Sequence, residues 1–217
     1  MTRVHPNAAV VTGLVAAAPS PASIPCKEEE EVLTVWRKSL LLNCNGFTVF
    51  DCKGNLVFRV DNYVSGSRDE IVLMGASGNP LLTLRRKRLS FSDNWQVFDG
   101  ESAANPLFTV RKQHSGLRNT KCLAQITCPG NGTESPPSSP GSLSSRNRNV
   151  LYEVEGSYQR RCCSVYDGQR QLVAEIRRKE SFGNDVFRLV VQPGMNAAVG
   201  MAIVILLDQM FGSSKWS

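Results

Sequence analysis

The segment MNAAVGMAIVILLDQMFG, Met195–Gly212, constrains the fold more than any other, because it is the most apolar stretch of the chain and lies close to the C-terminus. Its uninterrupted apolar core runs from Ala197 to Leu207, eleven residues, bounded by Asn196 on one side and Asp208 and Gln209 on the other. A helix of that length spans about 16 Å, whereas crossing a bilayer takes about twenty apolar residues. A helix apolar on every side is buried on every side, so the rest of the chain must enclose it. Ala197, Ala198, Gly200 and Ala202 keep its first half thin enough to thread through a narrow space. The alternative, a tail anchor, fits poorly with the short span and the barely basic SSKWS that follows.

The enclosure is written as a repeat. FTVFDCKGNLVFRV from Phe47, IVLMGASGNPLLTLRRK from Ile71, WQVFDGESAANPLFTVRK from Trp95 and CSVYDGQRQLVAEIRRK from Cys163 can be stacked on one another. Each is a β-rich run, a turn carrying Gly with Asn or Asp, and a second alternating run. Gly54-Asn55, Gly78-Asn79, Asp99-Gly100 and Asp167-Gly168 supply the turn signals. In the returning runs Leu82 and Leu84 alternate with Thr83 and Arg85, and Phe108 and Val110 with Thr109 and Arg111. A period of two marks a half-buried antiparallel sheet. The first two intervals are 24 residues each, and the third, Trp95 to Cys163, is 68. That third interval contains PGNGTESPPSSPGSLSSRNRN, residues 129–149, of which 13 of 21 are Pro, Gly or Ser. Such a composition cannot bury enough apolar surface to offset the cost of ordering, so it reads as a disordered loop. Removing it leaves nearly two repeats, and makes KCLAQITC and VLYEVEG the arms of one further hairpin. With EVLTVWRKS before the first unit and FRLVVQPG after the last, the count is five hairpins and a strand at each end. The expected fold is therefore mainly β: a closed antiparallel barrel of about twelve strands around a buried hydrophobic C-terminal helix. Closure removes the exposed edges that so large an open sheet would carry. The expected domain boundaries are a disordered tail over 1–31 and a single barrel domain over 32–217.

Composition adds limits. The net charge of +6 hints at an anionic partner. The seven cysteines, at 26, 44, 52, 122, 128, 162 and 163, form no CxxC pair and no Cys/His zinc pattern. Their odd number and the absence of a disulfide framework point to a reducing compartment. The run from Ala8 to Ala18 is too Ala-rich, and its flank too weakly basic, for a convincing secretory signal. The expected location is cytoplasmic, peripheral at the plasma membrane, or nuclear, without secretion.

LTVWRKSLLLNCNGFTVFDCKGNLVFRVDNY, GNPLLTLRRKRLSFSDNWQVFDGE and PGMNAAVGMAIVILLDQ together resemble the plant LURP-one-related family, over about Val32 to Gln209. That family is similar in fold to the tubby C-terminal domain and the phospholipid scramblases, a twelve-stranded barrel around a hydrophobic C-terminal helix. The resemblance implies a regulatory protein, with phosphoinositide binding, membrane-tethered transcription control and plant defence among the roles it connotes. A scramblase-like lipid mover and a soluble protein-interaction adaptor stay open as alternatives. No lipid-contacting residue of tubby is carried over. The scramblase comparison departs locally, since Cys162-Cys163 lies inside the barrel sequence and no separate span follows the barrel.

No GxGxxG, P-loop, GxSxG or HExxH occurs, and the two histidines are His5 in the tail and His114 in a turn-like stretch. No enzyme, metal site or cofactor is expected. Asp51, Asp99 and Asp167 recur at the repeat turns and read as turn caps. The functional lead is basic: Arg85-Arg86-Lys87-Arg88, Arg111-Lys112 and Arg177-Arg178-Lys179 close three units at equivalent positions. In a meander every returning strand ends on the same rim, so these cations form a candidate patch for anionic phospholipid headgroups. Solvated strand ends and a nuclear import run are the plainer readings. Nucleic acid is not expected, because the aromatics lie on strands as core residues and not as stacking platforms. Ser135 and Ser139, each before Pro, are candidate phosphosites in the insert. The acidic run Glu28–Glu31 is placed before the first strand, where it solvates the chain or folds over the basic rim.

Overall fold

The computed structural model describes residues 29–41, 44–63, 69–87, 93–102, 104–113, 121–129, 149–180 and 182–212. The expectations for the tail up to residue 28, most of the 129–149 insert, Arg88, His114, Ser135 and Ser139 lie outside these residues. Among the described residues twelve strands precede one helix. They are β1 (Glu31–Trp36), β2 (Cys44–Phe50), β3 (Leu56–Tyr63), β4 (Glu70–Gly75), β5 (Pro80–Arg86) and β6 (Asn94–Asp99), then β7 (Phe108–Lys112), β8 (Cys122–Thr127), β9 (Val150–Ser157), β10 (Cys162–Asp167), β11 (Leu172–Arg178) and β12 (Val186–Val191), with α1 (Ala197–Phe211) last. Every strand pairs antiparallel with its sequence neighbours, and β1 pairs with β12 to close the barrel.

Period-two alternation sends one side chain of each pair inward. Leu33 and Val35 of β1, Phe47 and Val49 of β2, Leu82 and Leu84 of β5, and Phe187 and Leu189 of β12 all join one core cluster with the helix. Phe98 departs from the expectation that the strand aromatics are core. It is buried on the outer face of β6, covered by the Arg85 guanidinium 5.0 Å from its ring. Three of the turns show how sequence makes the hairpins. Gly54 and Gly78 adopt φ of 84° and 88°, as a tight turn demands. At the Asp167 turn the left-handed residue is Arg170, φ 65°, and not Gly168. Asp51 and Asp167 cap their turns, each carboxylate accepting from the backbone N–H groups two and four residues on.

The helix runs down the barrel. Asn196 caps its N-terminus, its side-chain oxygen accepting from the Ala198 and Val199 N–H groups. From Gly200 to Asp208 every residue is buried. The helix is longer than its apolar core predicts: it continues through Asp208 and Gln209 to Phe211, fifteen residues, or about 22 Å. No described helix is long and apolar enough to cross a membrane. Because β12 runs into the helix at one rim, the helix emerges at the other. That second rim, the mouth, is where β1, β3, β5, β7, β9 and β11 all end. Glu30 and Glu31 stand at the opposite rim, beside Gln192, so this part of the acidic run does not fold over the basic strand ends.

Candidate functional site

The mouth is shaped by how the barrel receives the helix C-terminus. The last helical carbonyls have no partner within the helix and carry partial negative charge. The last turn of α1 contains no basic residue, so the cations come from strand ends. The inward position beyond the last apolar residue of β7 is Lys112. Its ammonium donates to the Met210 carbonyl at 2.7 Å and lies 4.6 Å from the Phe211 ring. The equivalent position after β1 is Arg37, whose Nε donates to both carboxylate oxygens of Asp208 at 3.0 and 3.2 Å. Tyr158, just past β9, donates its hydroxyl to Asp208 Oδ1 at 3.1 Å. The Asp208 side chain is 1% exposed, so it is a buried carboxylate held by two donors. Burial, reinforced by the Asp208 charge, pushes the Tyr158 hydroxyl well above the ordinary tyrosine range.

Beside this trio lies a cavity of about 300 Å³, lined by residues that include Arg37, Tyr158, Arg161, Asn184, Asp185 and Asp208. Arg161 closes the β9–β10 turn with φ 52° and is only 6% exposed. Its guanidinium packs against the Tyr158 and Phe187 rings, at 4.2 and 4.3 Å from their centroids, the two rings standing nearly perpendicular to each other. The β1–β2 and β11–β12 connections meet here, joined by a hydrogen bond from the Arg37 N–H to the Asp185 carbonyl, 2.7 Å. These two connections and the end of β1 carry Trp36, Leu40, Leu41 and Phe182. They are four of the six large apolar side chains exposed among the described residues. Lys38 lies 5.3 Å from the Trp36 ring and Lys179 lies 4.7 Å from the Phe182 ring.

A family model described as LURP-one-related matches residues 31–208. The chain belongs to the LURP-one-related family. Protein LURP-one-related 8 of Arabidopsis thaliana is 49% identical over 191 residues, covering 84% of this chain and 88% of the relative. Protein LURP-one-related 17 of the same plant is 38% identical over 197 residues, covering 82% of each. Among solved structures, an X-ray structure of an Arabidopsis thaliana protein superposes with a TM-score of 0.58 at 28% identity, over 82% of this chain and 90% of that one.

In this LURP-one-related barrel the three basic runs end at the mouth rim, but not as one patch. β5 and β11 stand six places apart in the ring of twelve, on opposite sides. Several of the cations are already partnered. Arg85 pairs with Glu70 at 2.7 Å, Arg86 with Asp93 at 2.7 Å, and Arg177 with Glu175. Arg111 donates to the Asn94 side chain, and Lys112 serves the helix end. Lys87 and Arg178 are exposed and ion-paired to no described residue; Lys179 stacks on Phe182. Sequence reasoning missed Arg37, Tyr158, Arg161 and Asp208. One signal was present: a lone Asp at the end of an apolar helix, which a wholly enclosed helix carries only with a buried cation beside it.

The described cysteines Cys52, Cys122, Cys128, Cys162 and Cys163 are free thiols. Burial pushes Cys122 up to about 11 and Cys163 up to about 12, which keeps both protonated and poorly nucleophilic at neutral pH. Among the described residues no group of His, Cys, Asp and Glu is arranged to hold a metal ion.

Proposed function

We propose that the protein is a non-enzymatic regulatory module that attaches by the mouth of its barrel to an anionic membrane surface. The observation that carries this is the conjunction at adjoining connections: exposed Trp36, Leu40, Leu41 and Phe182, each aromatic with a lysine on its ring. An aromatic and leucine edge flanked by cations suits the boundary between headgroups and acyl chains. Each nearby Lys or Arg adds about 1 kcal/mol of attraction to anionic lipid. This reading shifts the lipid-facing part of the rim from the β5 side, where Arg85 and Arg86 are paired, to the side of β1, β11 and β12, where Arg178 and Lys179 remain available beside the exposed aromatics. Phosphoinositides are the first lipids to test, and a part in plant defence, which the family name connotes, belongs to the same proposal.

Flotation of the full chain with vesicles tests it. Binding to vesicles containing phosphatidylserine or phosphoinositide, absent with phosphatidylcholine alone, is the expected result. W36A/L40A/L41A should abolish it while leaving the fold intact, since these side chains lie outside the core cluster and are each more than a third exposed. Wild type failing to float with any anionic vesicle sinks the reading and leaves the adaptor alternative. Dye-lipid exposure above protein-free vesicles would favour the lipid-moving alternative.

A further inference from the structure

The cavity beside Arg161 does not depend on membrane attachment. We propose that it is a binding site for a singly charged phosphodiester, with Arg161 as the residue that receives the oxyanion. Arg161 is more than nine-tenths buried, yet it forms no ion pair with any described carboxylate. Its Nε is committed to the Asn184 carbonyl at 2.9 Å, while its buried Nη1 has no hydrogen-bond partner. Buried donors are rarely left so, least of all on a charged group. The neighbouring carboxylates do not fill the role: Asp208 is held by Arg37 and Tyr158, and Asp185 approaches Arg37 at 3.7 Å.

The ligand chemistry follows from what is missing. The Tyr158 and Phe187 rings, nearly perpendicular to each other, pack against one side of the guanidinium, and its open edge offers the in-plane donors that phosphate oxygens accept from. Arg37 and Arg161 are matched in formal charge by Asp185 and Asp208 around the cavity. Of these four groups only Arg161 has no ion-pair partner among the described residues, so a singly charged group suits the site and a multiply charged one meets two carboxylates. A space of about 300 Å³ exceeds what a bare oxyanion fills and suits a headgroup-sized ester. The left-handed φ of 52° at Arg161 is uncommon for a long side chain.

The source of the diester, lipid headgroup or soluble metabolite, is separated by two arms of one experiment. In the first, the isotopically labelled full chain is titrated with sn-glycero-3-phosphoglycerol and followed by NMR. Saturable shifts at Arg161 Nε–H and the Gln159 and Asn184 side-chain amides are expected. Arg161→Gln should weaken binding at least tenfold. Arg161→Gly, which accepts the positive φ without strain, should do the same with the turn preserved. In the second arm the same variants are floated with phosphatidylglycerol vesicles. Reduced flotation identifies the headgroup as the source, and unchanged flotation with lost soluble binding identifies a free diester; both support the site. A folded wild type with no saturable shift at these groups, or both variants binding as well as wild type, overturns it. Flotation failing while the soluble titration succeeds counts against the membrane reading alone.

Discussion

Arg37 and Asp208, 171 residues apart in the chain, form a two-bond contact inside the mouth, Nε to Oδ1 at 3.0 Å and to Oδ2 at 3.2 Å. The pair ties the end of the first strand to the last turn of the last element. It therefore locks the helix at the depth where its apolar faces meet the barrel wall, and it builds one side of the Arg161 cavity.

The two members of this pair should be energetically coupled. Asp208→Ala takes from partly buried Arg37 its buried carboxylate, leaving the longer Asp185 contact, and strips Tyr158 of its acceptor, at a cost of about 3–5 kcal/mol. R37A/D208A should cost less than the sum of the two single changes. Urea midpoints of the four proteins form the cycle; additive losses would show that the contact carries no coupling.

Thiol reactivity should sort by position. At pH 8 a water-soluble disulfide reagent is expected to label exposed Cys52, Cys128 and Cys162 rapidly, and Cys163 only on global opening. Cys122 and Cys163 hold their protons more tightly folded than unfolded, with folded values of about 11 and 12 against an ordinary 9.0. Their contribution is fully present below pH 9 and is lost as pH rises toward those folded values. Stability measured by denaturant should therefore fall between pH 9 and 11, and Cys163→Ala should flatten part of that slope.

Two glycines should respond very differently to alanine. Gly156 has φ 109°, and an added Cβ would stand 2.3 Å from the Cys162 carbonyl oxygen, so Gly156→Ala must displace the β9–β10 pair that leads into Arg161. A loss above about 3 kcal/mol, or no folded barrel, is expected from strain and clash together. Gly54, φ 84°, has nothing within 4 Å of the built Cβ. Gly54→Ala should cost about 1 kcal/mol, the backbone penalty alone. Thermal melts of the two variants decide it.

Membrane attachment should be visible in fluorescence. Trp36 is 38% exposed, so its emission should shift to the blue when anionic vesicles are added. Trp36→Phe should remove the shift while preserving flotation. A shift that persists in the variant would mean that the responding tryptophan lies elsewhere.

Lys112 should be replaceable by Arg but not by Ala. The ammonium meets the Met210 carbonyl where the helix has no basic residue of its own. Lys112→Ala is expected to lower stability by about 1–2 kcal/mol, and Lys112→Arg by less, in a urea titration.

The barrel was legible in the order of the residues. Period-two runs such as Leu82–Thr83–Leu84–Arg85, units that begin 24 residues apart at Phe47, Ile71 and Trp95, and one helix apolar on all sides are local properties. Together they point to about twelve strands around a plug, because closure is the arrangement that covers both the strand edges and the helix. What sits at the mouth is another matter. Asp208 reads as the end of the apolar helix, and only the fold brings Arg37 and Tyr158 to it from 171 and 50 residues away. The basic runs share a rim by topology, yet which cations are spent on Glu70, Asp93, Glu175 or the helix carbonyls is decided by side-chain contacts. Likewise, Arg161 looks like an ordinary turn arginine until Tyr158 and Phe187 close over it. Local periodicity sets the pattern of strands and their inward faces, whereas the worth of a charge depends on what surrounds it once water has been excluded.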